Sequence, residues 1–185
     1  SKIANAKMRI FNLDGSEGKM AGNSIRCVGK YLYDNGFVDK DRITVETASG
    51  IKVLDLFTRN GKVSSVTVNM GKAYLEPKQI PVLLDGDIIN DRKVKIGGSK
   101  YNITCVSMGN PHCIVFVDNV DKIDIEKTGP QFENAPIFPE RVNTEFVRIV
   151  NEHTIKMRVW ERGNGETLAC GTGACAAAVA AVLNG

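Results

Sequence analysis

The chain has 185 residues, of which 43% are hydrophobic and 24% charged, and its 24 Lys and Arg exceed its 21 Asp and Glu for a formal net charge of +3. This is the balance of an ordinary globular protein with material for one domain or two small ones, and basic residues spread along the chain without a block argue against a nucleic-acid partner. No apolar run approaches the roughly 20 residues of a membrane span and no signal peptide is evident, so the expectation is a cytoplasmic protein that meets no membrane. The chain opens at Ser1 and stops abruptly at Asn184-Gly185, which reads as processing or as a fragment. Its cysteines are Cys27, Cys105, Cys113, Cys170 and Cys175. An odd number without C-x-x-C spacing speaks against a disulfide framework and a structural zinc site, and with two histidines no metal is expected.

In chain order, residues 6–11 read as a strand and 13–18 as a turn-rich loop. Ile25, Val28, Tyr31 and Leu32 recur at helical spacing between a Gly22-Asn23 start and an Asn35-Gly36 stop, predicting a helix over 23–35. β-branched or alternating runs at 43–47, 51–57 and 63–70, separated by Ser-Gly and Asn-Gly turns, predict three antiparallel strands. Glu76-Pro77 is the natural boundary between an N-terminal half, 1–76, and a C-terminal half, 77–185. Beyond it 80–84, 92–96, 101–107 and 114–117 read as strands and 121–129 as a short helix. The segments 143–149 and 154–160 form a strand pair before a final Ala-rich helix over 174–183. The fold class is α+β in two similar halves, each a helix with an antiparallel sheet.

The stretch from Arg158 to Ala181 carries the chemistry. An apolar strand gives way to a loop with two glycines, then Cys170-Gly171-Thr172-Gly173 at a helix start. Unpaired backbone N–H groups and the positive end of the helix dipole converge there, so an anion is cradled and the Cys170 thiol should lose its proton more easily. The same layout occurs earlier, with Arg9 matching Arg158, Phe11 matching Trp160, Glu17 matching Glu166 and Gly22 matching Gly171, at a constant offset (158 − 9 = 149). Two helix starts in a repeat suggest a pseudo-symmetric protein with a site between its halves and one acid/base from each. The position opposite Cys170 is Ala21, which has no thiol.

Other groups could join such a site. Asn110 and His112 sit in a Gly-Asn-Pro-His turn, and an amide can both donate and accept. Arg162 offers a fork for a carboxylate, Glu161 could hold an amino group, and Asn143 stands at a strand start.

The ordered blocks 12–17, 22–27, 109–112, 138–143 and 161–173 resemble the signature of the diaminopimelate epimerase family, over essentially the whole chain. The resemblance implies two pseudo-symmetric halves, each an antiparallel sheet wrapped around a central helix. It also implies a cofactor-independent enzyme of lysine and peptidoglycan biosynthesis that interconverts LL- and meso-diaminopimelate by two-base proton transfer between cysteines. By the same resemblance Cys170 is one catalytic cysteine and Ala21 stands where the other belongs. Asn12, Gly22, Asn23, Asn110, Asn143, Glu161, Arg162, Gly171 and Thr172 match substrate-binding positions, and His112 lines the site. The substrate would be a small molecule, and a homodimer is compatible with the resemblance. Ala21 implies that the chain lacks turnover; a racemase of the same fold acting on another amino acid, and a non-catalytic module that binds a diamino diacid, are the competing expectations. The resemblance starts inside the first half and stops one helix into the end of the second, which implies open strand edges and self-association.

Overall fold

A computed structural model describes residues 1–11, 13–18 and 21–185 of the chain. They form two compact units, Ser1–Gly71 and Lys72–Gly185. The boundary lies a few residues before Glu76-Pro77, because Tyr74 and Ser107 exchange backbone hydrogen bonds of 2.9 Å in both directions and tie this segment to the second unit.

In the first unit, β1 (Ala6–Lys7) pairs in parallel with β4 (Arg42–Thr47), which continues antiparallel to β5 (Gly50–Arg59) and β6 (Lys62–Val68). A separate hairpin joins β2 (Ile10–Phe11) to β3 (Glu17–Gly18), so the run expected as one strand over 6–11 is two short ones. Helix α1 (Gly22–Asp34) lies against β5 and β6. Its Ile25, Val28 and Leu32 form a stripe on Ile43, Val45, Leu54, Leu56 and Val63, the spacing that a 3.6-residue period puts on one face. The approach is close at Gly29, where a Cβ would lie 2.7 Å from Leu54 Cδ2. The residue before α1, Ala21, is extended (φ −139°, ψ 113°) and gives no side-chain cap. Ala21→Ser is therefore expected to stabilise this unit by about 1 kcal/mol, read as a higher urea midpoint at unchanged slope.

The second unit holds a six-stranded sheet in the order β12 (Gly165–Thr167), β11 (Thr154–Glu161), β10 (Asn143–Asn151), β9 (Pro111–Phe116), β8 (Ser99–Ser107), β7 (Arg92–Ile96). Its neighbours are antiparallel except β9 and β10, which are parallel because α2 (Ile125–Glu133) lies in the crossover between them. Helix α3 (Gly171–Leu183) packs on β8, β9, β10 and β11. The core of Ile103, Val115, Ile125, Phe132 and Phe146 lies in this unit, with Phe132 edge-on to Tyr101 and Phe146.

Two further local expectations are corrected, and one strand is added. Residues 80–84 are not a strand: a 3-10 turn at Pro77–Gln79 leads into an irregular segment, since Pro81 cannot donate to a ladder, although Ile80 and Val82 are still buried. The helix expected over 121–129 begins later, with Asp124 capping the amide of Lys127, and runs through Pro130 to Glu133. Strand β12 was not expected; it pairs with the end of β11, opposite Trp160.

Candidate active site

The start of α3 is built as its sequence suggests. Cys170 is its extended N-cap (φ −130°, ψ 111°), and Cys170 Sγ accepts a hydrogen bond from the Gly173 amide at 3.3 Å. The hydroxyl of Thr172 stands 3.5 Å from the sulfur. Thr172, Gly173, Ala176, Ala177 and Ala180 form the buried face, small side chains that let the helix lie close to the sheet. Gly173 is obligatory, because a Cβ there would come within 2.5 Å of Glu145 Oε1 and 3.1 Å of Cys170 Sγ.

The expectation of an easily ionised thiol is not met. Cys170 is 8% exposed, and burial pushes its thiol up to about 12, with the charges of Glu145 and Glu161 adding to the rise. The hydrogen bonds from Thr172 and Gly173 act in the opposite direction and are outweighed. In the free chain Cys170 therefore rests as a thiol, which is the proton-donating form.

A hydrogen-bonded chain leads from the sheet to this thiol. Asn110 Nδ2 donates to Thr172 Oγ1 at 3.2 Å, and Asn110 Oδ1 lies 3.0 Å from His112 Nε2. His112 Nδ1 is 2.7 Å from Glu145 Oε1, and both side chains are fully buried. With the Asn110 amide so oriented, His112 Nε2–H is the donor towards Asn110. Asn143 Nδ2 donates to the Pro111 carbonyl at 2.8 Å, and Asn143 Oδ1 accepts from the Arg162 amide at 2.9 Å. Its side chain thus fastens the ends of β9 and β11 to each other, engaged with backbone on both sides. Glu161 Oε1 accepts from the Thr167 hydroxyl, and Arg162 Nη1 donates to the Glu140 carbonyl at 2.8 Å.

The structure thus brings Cys170, Thr172, Asn110 and His112 into one network, and Asn143 and Arg162 into contact. Sequence reasoning missed Glu145 and Glu133. Glu133 Oε2 accepts from Trp160 Nε1 at 2.6 Å, while its Oε1 accepts from the Gly163 amide at 2.9 Å and from Arg141 Nη1 at 3.0 Å. A carboxylate inside the apolar run Phe146-Val147 and its flanking Asn143-Thr144 was the available signal for Glu145. For Glu133 the sequence offered none, since its partners come from β11 and two loops.

The first unit repeats the local geometry at its own helix start. Helices α1 and α3 span corresponding residues at the offset of 149 (171 − 22 and 183 − 34), and their N-caps Ala21 and Cys170 have nearly the same backbone angles. The hairpins before them share a register, Phe11 opposite Glu17 and Trp160 opposite Glu166. Each is clasped by a two-pronged ion pair, Arg9 to Glu17 at 2.9 and 3.0 Å and Arg158 to Glu166 at 2.7 and 3.1 Å. Asn35 and Asn184 end the two helices alike. In α1, Gly22 is buried and Asn23 Oδ1 accepts from Arg26 Nη2 at 2.5 Å. Asn12, matched to a substrate-binding position, lies outside the described residues. Among the described residues no cluster of three or more His, Cys, Asp or Glu is placed to hold a metal, and no helix is long and apolar enough to cross a membrane.

Known proteins share both the sequence and the architecture. Solved structures similar in fold include a probable proline racemase from Agrobacterium radiobacter K84, with a TM-score of 0.74 at 18% identity over 98% of this chain and 56% of that one. A hydroxyproline epimerase from Agrobacterium vitis gives 0.72 at 16% identity over 96% and 55%. Among curated relatives, the diaminopimelate epimerase of Acetivibrio thermocellus is 56% identical over 100% of this chain and 66% of its own length, and that of Methanococcus maripaludis 54% over 100% and 67%. The chain thus spans about two thirds of the length of the relatives it matches. The family model described as diaminopimelate epimerase matches residues 1–76 and 104–185, which include both helix starts, the His112 network and the Glu161-Arg162 loop. On that match, and on relatives of more than half identity along every residue, the chain belongs to the diaminopimelate epimerase family.

Proposed function

We propose that this chain is the scaffold of a diaminopimelate epimerase whose Ala21 form binds the substrate but does not invert it. The observation that carries the reading is Cys170 at the extended N-cap of α3, resting as a thiol beside Thr172 and the Gly173 amide. Inverting an α-carbon takes a base on one face and an acid on the other. Cys170 supplies one of them, and the charge that develops on the α-carboxylate is met by the amides of Gly171 and Thr172 in the manner of an oxyanion hole. A side-chain mechanism of this kind uses neither pyridoxal phosphate nor a metal. Position 21 has the matching backbone without the matching thiol, so one proton-transfer group is missing. The reading also places the chain in the cytoplasm, in lysine and peptidoglycan precursor synthesis.

Glu161 and Arg162 serve in this reading to hold the polar groups of a zwitterionic substrate, with Asn110 and Asn143 beside them. Titration calorimetry with diaminopimelate tests it directly. Arg162→Lys keeps the charge and loses the planar fork, so binding is expected to weaken about tenfold or more. Equal affinity in parent and variant would remove Arg162 from the site, and no heat with either epimer would remove diaminopimelate as the substrate.

A further inference from the structure

Arg141 stands in the left-handed backbone region, at φ +60°. Among the described residues the other non-glycines there are Asn60 and Asp91, of the types that visit it most readily, so an arginine calls for a local cause. The cause lies in the turn. Phe138 and Val142, on either side of Pro139-Glu140-Arg141, are buried, which fixes both ends of the turn in the core. The Arg141 amide donates to the Phe138 carbonyl at 2.9 Å, and Arg141 Nη1 donates to Glu133 Oε1 at 3.0 Å. The peptide between Glu140 and Arg141 is thus pinned by its N–H, and being trans it points its carbonyl the opposite way, where Arg162 Nη1 donates to it at 2.8 Å.

Two torsions orient that peptide, ψ of Glu140 and φ of Arg141. Turning the second to the usual value of about −60° rotates the peptide plane and carries the carbonyl off Arg162. The same stretch also fixes the Arg162 main chain. Asn143, two residues beyond Arg141, accepts the Arg162 amide at 2.9 Å, and Glu133 Oε1, which takes the Arg141 guanidinium, also accepts the Gly163 amide at 2.9 Å. Arg162 is therefore held along its backbone on one side and at its guanidinium on the other, by the turn and by the carboxylate that pairs with it.

We infer that Arg141 is a positioning residue whose left-handed backbone aims the Glu140 carbonyl at Arg162 and so sets the direction of the Arg162 fork. Its use rests on the reading of Arg162 as the group that holds a substrate carboxylate, since a two-pronged contact depends on the plane of the guanidinium as much as on its charge. Arg141 itself touches no substrate in this scheme.

The test is the rate at which phenylglyoxal labels each arginine of the 185-residue chain, mapped by mass spectrometry in the parent, Arg141→Gly and Arg141→Pro. Glycine takes a positive φ freely, and the Arg141 side chain is 42% exposed, so losing its ion pair costs little; Arg141→Gly should leave Arg162 labelling within about twofold of the parent. Proline is locked at a φ of about −65° and has no N–H for Phe138, so Arg141→Pro should release the guanidinium. Arg162 should then label about three- to tenfold faster, the worth of one hydrogen bond, while exposed Arg148 of β10 labels as before. Should Arg141→Pro fail to fold, Arg141→Val, whose branched side chain resists a positive φ, takes its place with the same expectation. An unchanged Arg162 rate in the folded proline or valine variant, an equal rise in Arg141→Gly, or a rise shared by Arg148 overturns the inference. Calorimetry with diaminopimelate is a separate arm, in which affinity should fall in the order that labelling rises. Labelling that shifts while affinity stays, or no heat with any of the proteins, supports the aiming by Arg141 and counts against the proposed function instead.

Discussion

Ala21→Cys is expected to raise the interconversion of LL- and meso-diaminopimelate by about 10²- to 10⁴-fold, the usual contribution of one placed acid or base. The local geometry is already present. Ala21 has the extended backbone of Cys170, φ −139° and ψ 113° against −130° and 111°, at the start of a helix of the same extent. A sulfur there can accept from the amide of Ser24 as Cys170 accepts from Gly173. Gly22 and Asn23 are untouched, so substrate affinity should stay near that of the parent. The measurement is to incubate each epimer in heavy water with a protein of the relatives' full length, following both label uptake and configuration. The Ala21 form should exchange the α-proton of one epimer at most. If it interconverts the epimers as fast as the variant does, the two-thiol scheme does not apply to this chain.

Glu133→Ala is expected to destabilise the second unit by about 2–4 kcal/mol. The carboxylate is 7% exposed and accepts from three donors: the Trp160 indole, the Gly163 amide and Arg141. Removing it strands the indole N–H and the amide, each at about 1–3 kcal/mol where water cannot replace the partner. The Arg141 side chain is 42% exposed and recovers most of its solvation, so its ion pair adds little. Trp160 also lies flat on Gly129, where a Cβ would come within 2.3 Å of its ring, so the indole has little room to seek another acceptor. Urea unfolding of parent, Glu133→Ala and Glu140→Ala checks this, the exposed Glu140 side chain serving as a reference expected within about 0.5 kcal/mol of the parent. A loss below about 1 kcal/mol for Glu133→Ala would mean that solvent reaches the loop at 161–164. Loss of diaminopimelate affinity should accompany the destabilisation, because Gly163 follows Arg162 directly.

The repeat, the two helix starts and the absence of a thiol at position 21 were legible in the sequence, since each rests on short-range relations: glycines before a helical period, an offset constant over both copies, a charged pair at either end of a hairpin. The Arg9–Glu17 and Arg158–Glu166 clasps emerged at the spacing the alignment gave them. Strand and helix limits were less legible where proline interrupts, at Pro81 and Pro130, because the alternation of buried side chains continues when the hydrogen-bond ladder does not. What only tertiary structure decided was the electrostatics of Cys170. A helix start favours a thiolate, and that much is local; burial under α3 and the approach of Glu145 and Glu161 from neighbouring strands are not, and in a buried site they outweigh the helix start. The same holds for Glu145 and Glu133, whose partners lie many residues away along the chain and meet them only once the parallel β9–β10 pairing and the α2 crossover are formed.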